Sequence, residues 1–423
     1  MREKILWQRL IQIYIILIPF LSAFAVSPLL PLPLLFISSI FLILFGKFID
    51  SKIFWLRDDI DIFVIIALGV GTMIFSWQYL GQKNINHLAA ISVSIFFFYF
   101  VVRVLLQCLD SFQGLSRAFV FSLFIVSGFV IFEFIASNYF NIHVPSIIPY
   151  SFPPDAPDAL IFGTFIRPRG LAEEAGFMSM FYELALPMSF IYLKNLPFLA
   201  IAYYAMVALP SFLLLGSGAG VASFLMAIII VCLINIKQKW FLYILLFLCL
   251  AIMVVLSFEA GRLYFHQVVG RRLEFFLFDP MQQTASTARI RTEVYFKMFN
   301  LFLAAPWGIG WGTASQIYSE GWEYSGIVLD KPSFISFYSE ILIASGFLGL
   351  LFFMKFIYKK IVKLIYIKTI EAQLVLISLI SICLHYLFIS NYWMPMLWFS
   401  LAMTDVLIRR RKKENKLKCK PII

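Results

Sequence analysis

Apolar residues in this chain come in long blocks, not in the alternation of a half-buried strand. The blocks lie near 10–26, 33–48, 60–80, 88–106, 116–137, 175–193, 197–215, 219–236, 240–257, 335–354, 370–390 and 393–408. A helix needs about 20 apolar residues to cross a ~30 Å hydrocarbon core. In lipid every backbone polar group must be satisfied internally, and unbroken apolar blocks select helices over strands. The pattern predicts an all-α polytopic membrane protein with about 12 transmembrane helices. Within 197–236 the division falls at Gly216-Ser217-Gly218-Ala219-Gly220, where glycine-rich backbone suits a turn or a tight crossing.

Composition sharpens this. Of 423 residues, 62% are hydrophobic and 13% charged, and the mean hydropathy is +0.91. A soluble chain carries about 25% charged residues, so one large soluble core is excluded. The net charge of +11 would suggest nucleic acid in a soluble protein. Here much of it sits in short loops and in Arg409-Arg410-Arg411-Lys412-Lys413, so membrane lipids are expected as partners and nucleic acid is not.

With the N-terminus inside, the inner loops hold Lys47, Lys52, Arg57, Arg117, Lys194, Lys237 and Lys239, then Lys355, Lys359, Lys360, Lys363 and Lys368. The short outer loops hold little beyond Lys83. Both termini are therefore expected in the cytoplasm, with 409–423 a basic cytoplasmic tail. Ala23-Phe24-Ala25 looks like a signal-peptidase site, but the many later spans favour an uncleaved first helix. The five cysteines, Cys108, Cys232, Cys249, Cys383 and Cys419, avoid long polar loops, so neither disulfides nor a metal site is expected.

Two outer segments break the charge rule within what reads as one membrane domain over 1–423. Segment 138–174 contains Arg167 and Arg169; segment 258–334 contains Arg262, Arg271, Arg272, Arg289, Arg291 and Lys297. Ion pairs to Glu259, Glu274 and Glu293 would explain single arginines, and an anionic ligand explains the set better. Residues 289–304 read as an amphipathic helix, with Ile290, Val294, Met298, Leu301 and Phe302 on one face. Ser286 or Thr287 can cap it, and Pro306 with the following glycines stops it. Such a helix lies on the membrane surface or roofs a cavity.

Three constellations could carry chemistry. In Arg167-Pro168-Arg169-Gly170 through Glu173-Glu174, guanidinium forks suit phosphate oxygens and Glu174 suits a general base. An ordinary interfacial helix cap fits the same residues. In Arg289-Ile290-Arg291 through Pro306-Trp307-Gly308-Ile309-Gly310-Trp311-Gly312, the rings of Trp307, Trp311 and Trp322 suit sugars, or form an aromatic belt. In Ser336 to Gly349, Glu340 faces a polar cavity or sits at the rim, and Gly346 and Gly349 mark close helix packing. His266 and His143 are weaker candidates for proton transfer, and His385 and Glu133 read as satisfied buried polar groups. Ionisable residues are otherwise expected mainly in the outer loops. There is no Walker loop, no Gly-x-Ser-x-Gly and no internal repeat.

In order and topology these segments resemble the O-antigen polymerase and ligase superfamily of bacterial envelope glycosyltransferases. Arg167 to Gly170 with Glu174, Arg289 to Gly312, and Ser336 to Gly349 fit its three motifs. The ligases carry His-Asn where this chain has Ile335-Ser336, which favours the Wzy-type polymerase. The polymerase resemblance implies transfer of a glycan from undecaprenyl pyrophosphate to a hydroxyl of another lipid-linked repeat unit, at the periplasmic face of the inner membrane. It implies no cofactor, metal or nucleotide, and a polysaccharide chain-length regulator as companion. Arg167, Arg169, Arg289 and Arg291 would bind pyrophosphate, supported by Arg272. Glu174 would be the base, with Glu340 and His266 in reserve. The alternatives are an O-antigen ligase or related oligosaccharide transferase, and a lipid-linked oligosaccharide flippase.

Overall fold

The computed structural model describes residues 2–20, 32–45, 56–107, 109, 111–142, 160–161, 165–235, 253, 257–259, 262–263, 266, 287–329 and 336–418. Among the described residues the chain forms thirteen helices and two short antiparallel hairpins. The first five helices are α1 Arg2–Leu17, α2 Leu32–Phe45, α3 Ile60–Phe75, α4 Gln82–Gln107 and α5 Phe112–Tyr139. Hairpin β1 Leu160–Ile161 and β2 Phe165–Ile166 precedes α6 Ala175–Leu193, α7 Phe198–Leu214 and α8 Gly218–Ile234. Next come α9 Thr287–Ala304, α10 Thr313–Glu320 and hairpin β3 Glu323–Tyr324 and β4 Ile327–Val328. The chain continues as α11 Phe337–Ile365, α12 Ile370–His385 and α13 Pro395–Lys418.

Helices α4, α5, α6 and α11 are each long and apolar enough to cross a membrane, and shorter apolar helices lie beside them. The chain is an all-α polytopic membrane protein. The glycine-rich turn divides α7 from α8 as expected: Gly216 takes φ +56° and the Ser217 hydroxyl accepts the Gly220 amide. The main apolar core joins α5, α6 and α12 to α8, α11 and α13. A smaller cluster of Leu301, Ile309, Ile317, Leu329 and Ile343 takes Val294, Met298 and Phe302 of α9. The amphipathic helix exists, and its apolar face packs over α11.

Several boundaries differ from the hydropathy pattern. Helix α11 runs on to Ile365, so Lys355, Lys359, Lys360 and Lys363 are helical and not loop residues. Helix α4 begins at Gln82, α12 stops at His385, and α13 continues through the basic segment to Lys418. Ala23-Phe24-Ala25, most of 240–257, Cys108, Cys249, Cys419, Arg271 and Arg272 lie outside the described residues; Cys232 and Cys383 are free thiols.

The expectation that ionisable residues keep mainly to the outer loops is corrected by the bundle interior. Arg103 Nη2 lies 2.8 Å from Asp59 and Nη1 3.0 Å from Asp405, all three side chains buried. The Tyr99 hydroxyl is 2.7 Å from both carboxylates, and buried Lys360 pairs with Asp405. At the rim Lys355 and Lys359 hold Asp61 at 2.8 and 2.7 Å, and Lys363 holds Asp58. Buried charges survive only when paired. Arg103 and Asp405 stand singly among uncharged neighbours, so the hydropathy average hid them.

Candidate functional site

The end of the bundle opposite this lysine cluster gathers the motif segments. The first is shaped by a buried carboxylate. Glu133 of α5 accepts the backbone amides of Arg169 at 2.9 Å and Gly170 at 2.8 Å. Its other oxygen lies 3.7 Å from Arg169 Nε. Asn138, further along α5, clamps β2 by donating to the Ile166 carbonyl at 2.9 Å and accepting the Ile166 amide at 2.6 Å. The chain from 165 to 170 is thus fastened to α5, and Glu133 is satisfied as expected. Arg169 is buried, and its Nη1 donates to the Glu173 carbonyl at 3.4 Å. Arg167 is half-buried beside it. Glu174 is the half-buried N-cap of α6, and its carbonyl starts the helix.

The second segment docks on a break in α11. Gly346 has φ +71° in mid-helix. The break frees backbone groups that the glycine loop then satisfies: Ile309 N donates to Ile343 O at 2.8 Å and Gly310 N to Ala344 O at 3.0 Å, while Phe347 N donates to Pro306 O at 3.0 Å. The Thr72 hydroxyl of α3 donates to the Ala344 carbonyl at 2.7 Å. Gly308, at φ +96°, lies so close that a Cβ there would meet Gly346 N at 2.6 Å and Ala344 O at 2.9 Å. Gly346 is therefore a helix break receiving a loop, a correction to the helix-packing role expected for it. Asn84 at the start of α4 secures the loop's far end, donating to Trp311 O at 3.0 Å and to the Thr313 hydroxyl at 2.7 Å.

All three segments converge on the turn that follows α12. The Tyr295 hydroxyl, one turn after Arg291 on α9, donates to Leu387 O at 2.8 Å. Phe337 N, opening α11, donates to Tyr386 O at 3.1 Å and Ile389 O at 2.9 Å. Ser336 caps α11 with a hydroxyl that also donates to Tyr386 O at 3.1 Å. A Cβ on Gly176 would lie 3.3 Å from Ile389, which puts this turn against α6 two residues beyond Glu174.

The other predicted residues scatter around this hub. Arg289 and Arg291 lie on the first turns of α9, their side chains outside the described set. Glu340 is buried in the first turn of α11, near enough to act electrostatically on the Tyr392 phenol. That phenol is 2.7 Å from His87 Nδ1. His266 is exposed. Trp307 is 77% and Trp322 39% exposed, but Trp311 is 1% exposed, packed on Gly69 and edge-on to Tyr392. Trp322 neighbours Tyr79 with ring centres 6.0 Å apart, and Tyr79 neighbours Tyr324 at 5.3 Å.

At this end of the bundle sequence reasoning also missed the pairing of Glu183 with His385. Glu183 of α6 and His385 of α12 are fully buried, with Oε1 and Nδ1 2.5 Å apart. A glutamate in the middle of an apolar span is the signal that could have found it. Among the described residues no three His, Cys, Asp or Glu side chains are grouped for a metal ion. A cavity of about 440 Å³ lies at the other end of the bundle, between Lys194, Glu371, Arg410, Arg411 and Glu414. Lys194 pairs there with Glu371 at 3.8 Å and Arg411 with Glu414 at 3.1 Å, while Arg410 donates to the Leu109 carbonyl.

Residues 203–354 match the family model described as O-antigen ligase. The match supports the O-antigen polymerase and ligase superfamily and does not distinguish polymerase from ligase. It takes in α9, the glycine loop and the break in α11. The superfamily suggests a glycosyltransferase-like membrane enzyme of lipopolysaccharide biosynthesis. No curated protein matches the chain significantly.

Proposed function

We propose that the chain is a polysaccharide polymerase of this superfamily, joining undecaprenyl-pyrophosphate-linked oligosaccharide units at the periplasmic face of the bacterial inner membrane, with both termini cytoplasmic. The observation that carries this is the convergence of three distant segments on residues 386–389. A lipid pyrophosphate leaving group needs positive charge at the membrane boundary. Arg167 with Arg289 and Arg291 supplies it, Arg272 supports it, and Arg169 adds charge while bound to Glu133. Glu174, at the helix cap, takes the acceptor's proton, with Glu340 and His266 as reserves. The exposed rings of Trp307 and Trp322 suit sugars; Trp311 is given a packing role. The donor is already activated, so the chemistry asks for no nucleotide. Substrate glycans, membrane lipids and a chain-length regulator are the partners.

Two features bear on polymerase against ligase. The family description favours the ligase. Ser336, bonded to Tyr338 N and Tyr386 O, stands where the ligase pattern has the asparagine of its His-Asn pair, with Ile335 at the histidine, and favours the polymerase. Nothing found supports the flippase. Loss of the protein should leave single repeat units on the surface lipid. Chains of normal length that fail to attach to the lipid core would make it the ligase, and units trapped on the cytoplasmic leaflet would make it a flippase.

A further inference from the structure

The transfer chemistry leaves unused a buried pair on the inner side of the first arginine segment. Glu183 and His385 face each other across α6 and α12. Their remaining atoms, Glu183 Oε2 and His385 Nε2, have no hydrogen-bond partner, and neither do Ser179 Oγ, Ser223 Oγ and Ser381 Oγ. Buried polar atoms are nearly always paired or hydrated. Five unpaired ones on three mutually packed helices, α6, α8 and α12, mark a place for water and a proton.

The local geometry gives this place a route outward. Ser179 and Glu183 are one turn apart on the same face of α6, and Gly176 is one turn further out, beside Ile389. Gly220 of α8 forms the opposite wall: a Cβ there would collide with the Ser179 hydroxyl and lie 3.3 Å from Glu183 Oε1. The first turn of α8 therefore turns its positive end toward the carboxylate. From Glu174 to Glu183 the track is about 13 Å long at 1.5 Å per residue.

We propose that Glu183 and His385 are the proton-relay residues of the transfer reaction, reached from Glu174 past Gly176 and Ser179. This rests on the proposed function. The acceptor oxygen bonds to the anomeric carbon, the bond from that carbon to the diphosphate oxygen breaks, and the diphosphate leaves with the electron pair. The hydroxyl proton passes to Glu174, then through water and the Ser179 hydroxyl to His385 Nε2, while His385 Nδ1 stays bonded to the Glu183 carboxylate. The proton returns along the same track to the departing diphosphate or to solvent, which resets the pair. An imidazole held by a carboxylate on one nitrogen and open on the other is the arrangement of a general-base pair. Around it stand Ser381, Cys383 and Tyr386 from its own segment and Tyr338 of α11, bonded to the Cys383 carbonyl; Ser223 is buried on α8, which packs against both helices.

The test uses the full-length purified protein and an undecaprenyl-diphosphate-linked oligosaccharide, assayed across pH. His385→Gln should lower kcat by about 10²–10⁴-fold, leave KM within about twofold, and abolish the acid limb of the wild-type pH–rate profile. Glu183→Gln should lower kcat with KM unchanged. Ser179→Ala, which leaves the helix intact, should lower kcat about tenfold or more. Thermal melting of each variant separates this from unfolding. If either dyad variant fails to fold, Ser179→Ala decides, and a wild-type rate and profile in it overturns the relay. If wild-type protein forms product and the dyad variants keep its rate and acid limb, the relay falls alone. If wild-type protein forms no product, the proposed function falls.

Discussion

The Tyr295 hydroxyl donates to the carbonyl of Leu387 at 2.8 Å, and this bond fastens the arginine-bearing helix α9 over the turn where α6 and α11 begin. Tyr295→Phe should leave the fold intact and cost about 0.5–1.5 kcal/mol of positioning, seen as a several-fold fall in kcat/KM. Arg167→Ala and Arg289→Ala should abolish transfer while the protein still inserts. Wild-type transfer by both arginine variants would remove them from the mechanism.

Glu133 organises the first segment through two backbone amides. Glu133→Ala strands both donors in a buried place, each at about 1–3 kcal/mol. The melting temperature should fall sharply and transfer with it. Glu133→Gln keeps one accepting oxygen and should lie between the two. Equal stability of Glu133→Ala and wild type would contradict this role.

Gly346 and Gly308 meet where α11 breaks. Alanine at 346 would be held at φ +71° against the Trp307 backbone, and alanine at 308 at φ +96° against Ala344. Backbone strain of this kind costs about 1–3 kcal/mol before any clash. Both variants should melt earlier than wild type, whereas Gly71→Ala, in open space on α3, should not.

The lysine end of the bundle should respond to acid. Burial pushes the Asp58 carboxyl up, but Lys363 and its neighbouring lysines outweigh this and hold it below the usual aspartate range. A carboxyl lowered on folding adds stability above its unfolded pKa and loses it as pH falls through the folded one. The contribution is therefore full at neutral pH and disappears only below the ordinary aspartate range. Its half-exposed partner keeps it small, about 0.2–1 kcal/mol. Lys363→Ala should flatten the acid dependence of the melting temperature. Arg103→Met, which takes the guanidinium from buried Asp59 and leaves Asp405 to Lys360, should cost far more, about 3–5 kcal/mol at neutral pH.

The fold was legible because lipid imposes a length and an apolar composition on every span. The turn at Gly216 and the amphipathic face of α9 both showed in the spacing of residue types. Pairings between spans did not. Glu183 and His385 are 202 positions apart, and Arg103 meets Asp405 across 302, distances at which spacing carries no signal. The break at Gly346 was equally hidden, since a glycine in an apolar helix suits close packing as well as a positive φ. Trp311 sits within the same glycine motif as Trp307, and only packing shows that one ring is inside and the other outside.

The central claim is transfer of a glycan from one lipid pyrophosphate to another at the arginine-bearing end. Purified protein should be reconstituted with undecaprenyl-pyrophosphate-linked repeat units alone, without nucleotide sugar, and the products separated by length. A ladder of glycans that lengthens with time, lost in Arg167→Ala, is the predicted result. Unchanged single units, in a preparation that instead moves them onto an added lipid core, would contradict it.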